Sequence, residues 1–309
     1  MRILRLGACV AALTVVLSIP TAAFAHHTTR PVVFVHGMDI WFTPGVNCDS
    51  TWNEMKTTLN NWGWSGGGGM WDVAYYVGDT NCTHWINHHG SHNVHYPSDH
   101  DNGSHSADTS IRHLGYHLAW FIRDHFGSNC VQAVGHSMGG LVLRYAIAQV
   151  ENNHANFPSS ICVGDAVTLG TPHAGTNWAT GCFWALQCRE MDGRIDCQAA
   201  NPDGTSDFIT WLRQHAFDPD GTGGTEWTVM GSNEDNLVHE ICATNNIERY
   251  AAVRYIGGSG VEHDDYLHDT NANWTADVSF KKGNDPFVND FTAPWPVKWT
   301  DLALSGPNW

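Results

Sequence analysis

The chain has 309 residues, a formal net charge of −16 at pH 7, and hydrophobic residues make up 42% of it. That length suits one large α/β domain with a well-buried core. The acidic balance argues against nucleic acid and anionic membrane surfaces as partners, because both attract basic patches.

Met1 to Arg5 holds two arginines, Leu6 to Ile19 is a short, mostly apolar run, and Ala23-Phe24-Ala25 sets small residues at the −3 and −1 positions of a cleavage point. This is the layout of a secretory signal peptide, shorter than the roughly 20 apolar residues of a membrane-spanning helix. Residues 1–25 are expected to be removed on export, leaving a secreted chain (26–309) with no integral membrane segment. Beyond the leader come Cys48, Cys82, Cys130, Cys162, Cys182, Cys188, Cys197 and Cys242. An even set in an exported chain suggests up to four disulfides, among about 105 complete pairings. Cys130 and Cys162 each precede a predicted strand and can be bridged if those strands are neighbours; Cys48–Cys82 is a second candidate. No Cys-x-x-Cys occurs, so these cysteines read as staples rather than zinc ligands.

Pro31–Val35 is an apolar, β-branched run ending at His36-Gly37, a buried strand and a tight turn. Thr51-Trp52-Asn53-Glu54 has capping-box spacing, and Trp52, Met55, Leu59 and Trp62 follow at helical intervals. Val73–Val77 reads as a second strand. His84, His88, His89, His92, His95, His100 and His105 lie in a polar stretch rich in Asn, Gly, Ser and Asp. That composition reads as a solvated loop more readily than as a coordination shell. Ile111, Leu114, Leu118 and Ile122 mark an amphipathic helix, with His113 and His117 on its exposed face. Val131–Val134 is a strand with a helix, Gly140–Val150, directly behind it. Further strands are expected at Ala166–Leu169, Trp227–Met230 and Val253–Ile256. Alternating strands and helices imply a mostly parallel sheet with helices on both faces. Residues 172–225 are a long, cysteine-bearing insertion that reads as a cap. Residues 270–309 show no helical period and read as an irregular tail.

Gly135-His136-Ser137-Met138-Gly139 is a Gly-x-Ser-x-Gly at the end of a strand and the start of a helix. A sharp turn there brings backbones too close for side chains and pushes the serine outward, which makes Ser137 a candidate nucleophile. A serine hydroxyl needs a base within hydrogen-bond reach, itself oriented by an acid. In chain order Ser, acid, His, the loop after Trp227–Met230 offers Asp235, with Glu234 the alternative. The loop after Val253–Ile256 offers His263, with His268 its rival; His239 precedes the last of these strands and falls in the wrong loop. The oxyanion donors are expected to be the N–H groups of Met38 and Met138. Trp41 and Phe42 are candidates to wall a substrate pocket, or plain core packing.

Three segments, Pro31-Val32-Val33-Phe34-Val35-His36-Gly37, Val134-Gly135-His136-Ser137-Met138-Gly139-Gly140 and Val167–Thr176, resemble those of bacterial secreted lipases and esterases. The Ser232-x-x-Asp235-x-x-Val238 element and the His263 loop are similar to their acid and base loops. The resemblance implies an α/β-hydrolase fold and hydrolysis of an acyl ester or lipid substrate by Ser137, Asp235 and His263, without an organic cofactor. The chain departs from the family in its long insertion, in lacking the expected closing helix after His263, and in showing no calcium motif. Two rivals stand beside this reading. One is a polyester depolymerase or amidase with the same triad, favoured by exposed aromatics in the insertion or tail. The other is a non-catalytic protein binding metal or a partner through the histidine stretch.

Overall fold

The computed structural model describes residues 30–38, 45–64, 68–86, 109–193, 197, 206–222, 224–268, 275–282 and 285–305. Among them a nine-stranded sheet forms the centre: β1 (Val32–Val35), β2 (Met70–Ala74), β3 (His84–Trp85), β4 (Val131–His136), β5 (Val163–Leu169), β6 (Glu226–Ser232), β7 (Ala251–Tyr255), β8 (Thr275–Lys282) and β9 (Val288–Pro294). Their spatial order is β3-β2-β1-β4-β5-β6-β7-β8-β9, parallel through β7, with β8 and β9 antiparallel. The winding reverses where β1 lies between β2 and β4. In an open α/β sheet such a reversal leaves a crevice at the carboxyl ends of the strands. This is the α/β-hydrolase architecture expected from the motifs.

Period-two alternation explains why both sheet faces are apolar. Val33 and Val35 of β1 join one core, and Val32 and Phe34 join the other. The first core packs α2 (Ile111–Phe126) and α3 (Met138–Glu151); the second packs α1 (Cys48–Asn61) and α8 (Pro296–Leu304). Full burial of a side chain such as Phe34 stabilises the fold by roughly 1.5–3 kcal/mol.

Several boundaries differ from the sequence reading for local reasons. α1 starts three residues before Thr51, because Asn47 caps it by accepting from the N–H groups of Asp49 and Ser50. β2 ends at Ala74, since the Asp79 carboxylate captures the N–H groups of Tyr75 (2.7 Å) and Tyr76 (2.8 Å) and draws them out of the sheet. His113 and His117 are buried rather than exposed, their Nε2 atoms 3.0 Å apart. α2 is enclosed on that side too, and its close approach to α3 is set by Gly115, where a methyl group would lie 2.8 Å from the Tyr145 ring. The irregular tail expected over 270–309 instead contains the β8–β9 pair and α8, which opens on Pro296 as its first residue. Here Phe280 stacks on Trp299 at 5.3 Å, and Gln132 of β4 donates to the Leu304 carbonyl at 2.9 Å, closing the helix onto the sheet.

The 172–225 insertion holds a 3₁₀ turn (Asn177–Cys182), α4 (Leu186–Met191) and α5 (Asp207–His215). Glu190 of α4 accepts from the Ser110 hydroxyl (2.7 Å) and the Ile111 N–H (2.6 Å), and Gln187 accepts from the Tyr76 hydroxyl at 2.7 Å. α5 is tied to α3 by fully buried Arg144, whose guanidinium donates to the carbonyls of Ala216 (2.8 Å), Leu212 (3.2 Å), His173 (3.3 Å) and Asn246. Burial lowers the Arg144 pKa to about 9, so it keeps its charge at neutral pH. Cys130–Cys162 joins the residues immediately before the paired strands β4 and β5; the other disulfides are Cys48–Cys82, Cys182–Cys188 and Cys197–Cys242. The first two pairings match the sequence candidates. No helix among the described residues is long and apolar enough to cross a membrane.

Asp165 of β5 generates a stability prediction. Burial raises its carboxyl pKa to about 6, against the stabilising hydrogen bond from Gln132. The unfolded chain ionises near pH 4. Between pH 4 and pH 6 the unfolded state therefore loses its proton first, and stability falls as pH rises, by about 2–3 kcal/mol in all. Asp165→Asn should raise the thermal midpoint at pH 8 by several degrees, with the gain shrinking towards pH 4; a midpoint difference independent of pH would contradict the assignment.

Candidate active site

Ser137 sits between β4 and α3 with φ 53° and ψ −130°. A non-glycine residue in this region is strained, and the neighbouring glycines make the turn sterically possible. A methyl group on Gly139 would lie 2.1 Å from the Val35 carbonyl oxygen, and one on Gly135 would lie 2.6 Å from Gly140 Cα. The Ser137 N–H donates to the Leu169 carbonyl at 2.8 Å, which ties the turn to the end of β5. Ser137 makes no side-chain capping bond to α3, so its hydroxyl is not consumed in holding the helix end.

Asp235 and His263 meet at the same end of the sheet. The His263 Nδ1–H donates to Asp235 Oδ2 at 2.8 Å, and Asp235 Oδ1 accepts from the N–H groups of Leu237 and Val238, each at 2.8 Å. Asp235 is buried and its carboxylate is fully partnered, so its orientation is set by the turn it starts. Gly170, after β5, lies against this pair: a methyl group there would approach Asp235 Oδ2 to 3.1 Å and His263 Nδ1 to 3.2 Å. Since Gly170 directly follows Leu169, which holds the Ser137 N–H, the serine turn and the Asp–His pair share one support. The His136 and His263 rings are 4.8 Å apart.

The rivals occupy other positions. Glu234 accepts from Gly258 N–H (3.0 Å), Ser259 O–H (3.1 Å) and Gly260 N–H, so it grips the backbone of the histidine loop rather than the imidazole. His268 faces Glu54 of α1 at 3.3 Å with its side chain 44% exposed. His239 caps α6 (Glu240–Thr244), beside Glu240.

The turn after β1 is held by a buried polar cluster that the sequence reading did not single out. His36 Nε2 donates to Asp79 Oδ2 at 3.0 Å and Nδ1 to the Gly37 carbonyl at 2.8 Å. The Tyr75 hydroxyl donates to the His36 carbonyl and, at 3.1 Å, to that of Gly37. Burial pushes the Asp79 carboxyl up, but the hydrogen bond and charge of His36, with the N–H groups of Val46 and Tyr76, outweigh it and hold the pKa below its ordinary value. The only sequence signal was His36-Gly37 itself; Tyr75 and Asp79 come from a distant strand end.

Met38 follows this turn, Met138 opens α3 directly after Ser137, and both side chains are buried. Met38 Sδ lies 3.8 Å from the Cys188 sulfur of α4, which brings the insertion to the edge of the site. Trp41 and Phe42 lie outside the described residues, as does the histidine stretch beyond Ile86; His84 stacks on Trp71 at 4.0 Å. Among the described residues no group of three or more His, Cys, Asp or Glu side chains is placed to hold a metal ion.

Gly37 gives a test of this geometry. A methyl group there would lie 2.7 Å from Ser137 Cβ and 3.4 Å from the His136 carbonyl oxygen. Gly37→Ala should therefore displace the serine turn and slow labelling of Ser137 by a fluorophosphonate at least about tenfold, an effect of about 1.4 kcal/mol on the barrier; labelling at the wild-type rate would show that the turn tolerates the shift.

Residues 76–190 match a family model described as "Putative serine esterase (DUF676)". No curated protein matches the chain in sequence. Among solved structures, the product of gene lin2722 from Listeria innocua is similar at 14% identity and TM-score 0.47, over 78% of this chain and 89% of that one. Bacillus licheniformis lipase BlEst2 in its mature form is similar at 20% identity and TM-score 0.34, over 67% of each chain. Alpha/beta hydrolase domain-containing protein 10 from mouse is similar at 13% identity and TM-score 0.41, over 76% of this chain and 82% of that one. Residues 76–190 are thus similar to the family described as putative serine esterase (DUF676), and they lie within an α/β-hydrolase fold.

Proposed function

We propose that the protein is a secreted serine hydrolase that cleaves carboxylic esters of the lipase or esterase type through an acyl-enzyme intermediate. The observation that carries this reading is the Asp235–His263 hydrogen bond of 2.8 Å, standing beside a serine in a strained strand-to-helix turn. Asp235 fixes the imidazole so that Nδ1 carries the proton and Nε2 is left basic. His263 Nε2 then takes the Ser137 proton as Oγ attacks the ester carbonyl. The oxyanion of the tetrahedral intermediate is stabilised by the N–H groups of Met38 and Met138, each donor contributing roughly 3 kcal/mol. Collapse expels the alcohol, which receives the proton from His263. A water activated by the same imidazole releases the acid and restores Ser137.

The positive end of the α3 dipole, at Met138, adds to the stabilisation of that charge. We assign residues 1–25 to an export signal and 26–309 to one hydrolase domain, in which 172–225 forms the wall that selects esters. Export accords with the four disulfides, which persist in oxidising compartments. A second reading draws on Phe183 and Trp184, 68% and 53% exposed on the loop that Cys182–Cys188 closes. Adjacent exposed aromatics in the insertion favour a polyester surface as the substrate of the same chemistry.

Hydrolysis of nitrophenyl esters of graded acyl length tests the assignment. Ser137→Ala should abolish turnover and His263→Ala should lower kcat by at least about 10³-fold, whereas His268→Ala should stay within about twofold of wild type. A dead His268→Ala with an active His263→Ala would reverse the base assignment.

A further inference from the structure

The loop that carries His263, between β7 and α7 (Asp265–His268), has little of its own to hold it in place. Gly258 and Gly260 take positive φ values of 79° and 73°, and a methyl group at either would meet nothing within 4 Å. Between Ile256 and Val261 the internal bonds run from Ser259 N–H to the Ile256 carbonyl at 3.1 Å and from Val261 N–H to Ser259 Oγ at 3.3 Å. Such a segment has many backbone conformations available, and something outside it must choose one.

Asp265 of α7 accepts from the Glu262 N–H at 2.8 Å, and two side chains from other turns of the site hold the rest. Glu234 takes three donors of the loop on one carboxylate, the Gly258 N–H, the Ser259 O–H and the Gly260 N–H. His136 donates from Nε2 to the carbonyl of His263 itself at 2.9 Å. Glu234 is the chain neighbour of Asp235, and His136 is the chain neighbour of Ser137. The base is therefore measured off against the acid turn and the serine turn by residues one position away from each.

We propose that Glu234 and His136 are positioning residues that together set the height of the His263 imidazole between Asp235 and Ser137; this rests on the ester-hydrolase reading above. Neither touches a reacting atom. The Gly260 N–H, with those of Gly258 and the Ser259 hydroxyl, holds the Glu234 carboxyl below its ordinary pKa, so the grip persists in mildly acidic solution. Burial, followed by the adjacent His263, holds the His136 pKa well below its usual value. A neutral His136 whose partner is a carbonyl must carry its proton on Nε2, and it places no positive charge beside His263 when that ring becomes an imidazolium. A displacement of the base by an ångström or less is enough to lower the rate of proton transfer without changing how an ester enters the site.

The test uses the full chain, a nitrophenyl butyrate assay, fluorophosphonate labelling of Ser137 and thermal midpoints. Glu234→Ala and His136→Ala should each lower kcat at least about tenfold while KM stays within about twofold. His136→Gln, whose side-chain N–H can still reach the His263 carbonyl, should recover most of the loss. Glu234→Gln should fall between wild type and Glu234→Ala, because an amide offers one acceptor where the carboxylate offers two. The proposal is overturned if the alanine variants keep kcat within twofold. It is equally overturned if they lose activity only with a fall in thermal midpoint, with kcat and KM changing together and no recovery in His136→Gln. A wild-type protein that neither hydrolyses the ester nor is labelled at Ser137 sinks the ester-hydrolase reading instead, and this inference with it.

Discussion

The backbone at Ser137 is the constraint on which the rest of this site depends. A serine at φ 53° costs on the order of 1–3 kcal/mol relative to relaxed backbone, and it persists only where its surroundings over-determine it. Here they do. β1 and α3 approach so closely that Gly139 has no room for a side chain beside the Val35 carbonyl, and Gly140 has none beside Thr171. The strain is stored where β1, β4, β5 and α3 meet, at the reversal in winding of the sheet. Moving any of these elements outward would relax the turn and withdraw the hydroxyl from the crevice.

The turn after β1 is braced differently. The His36, Tyr75 and Asp79 cluster replaces backbone pairing that the turn after β1 cannot make, and it does so in the interior, where an unpartnered polar group would be expensive. The insertion then closes on the same turn through the Met38–Cys188 sulfur contact, while Glu190, Gln187 and Arg144 tether its helices to α2, Tyr76 and α3. The described part of the insertion is thus bonded to the framework at several points.

The site was legible in the sequence to the extent that its geometry is local. Gly135-His136-Ser137-Met138-Gly139 encodes its own turn, and the order of Asp235 and His263 follows from which strands precede them. The pattern could not reveal what is decided by tertiary contact. Asp235 is the first choice of acid in one dimension and its neighbour Glu234 the alternative; what separates them in space is that one faces the imidazole and the other the loop backbone. His113 and His117 sit off the apolar stripe of α2, yet they are buried because that helix is covered on more than one side. The β8–β9 pair and α8 were missed because an antiparallel pair at a sheet edge is recognised by its partner strand, and α8 by the sheet it closes upon.

The order of the disulfides has a consequence for how the chain reaches this state. From Cys48 onward each cysteine is bonded to the next one along the sequence, at separations of 34, 32, 6 and 45 residues. A polypeptide delivered N-terminus first into an oxidising compartment presents its thiols in that same sequence. Each newly arrived even-numbered thiol finds one unpaired partner waiting, so the correct combination is the one that arrival order alone produces. The connectivity makes the chain independent of shuffling between wrong partners, a useful property for a protein whose centre depends on three strands and a helix coming together around one strained residue.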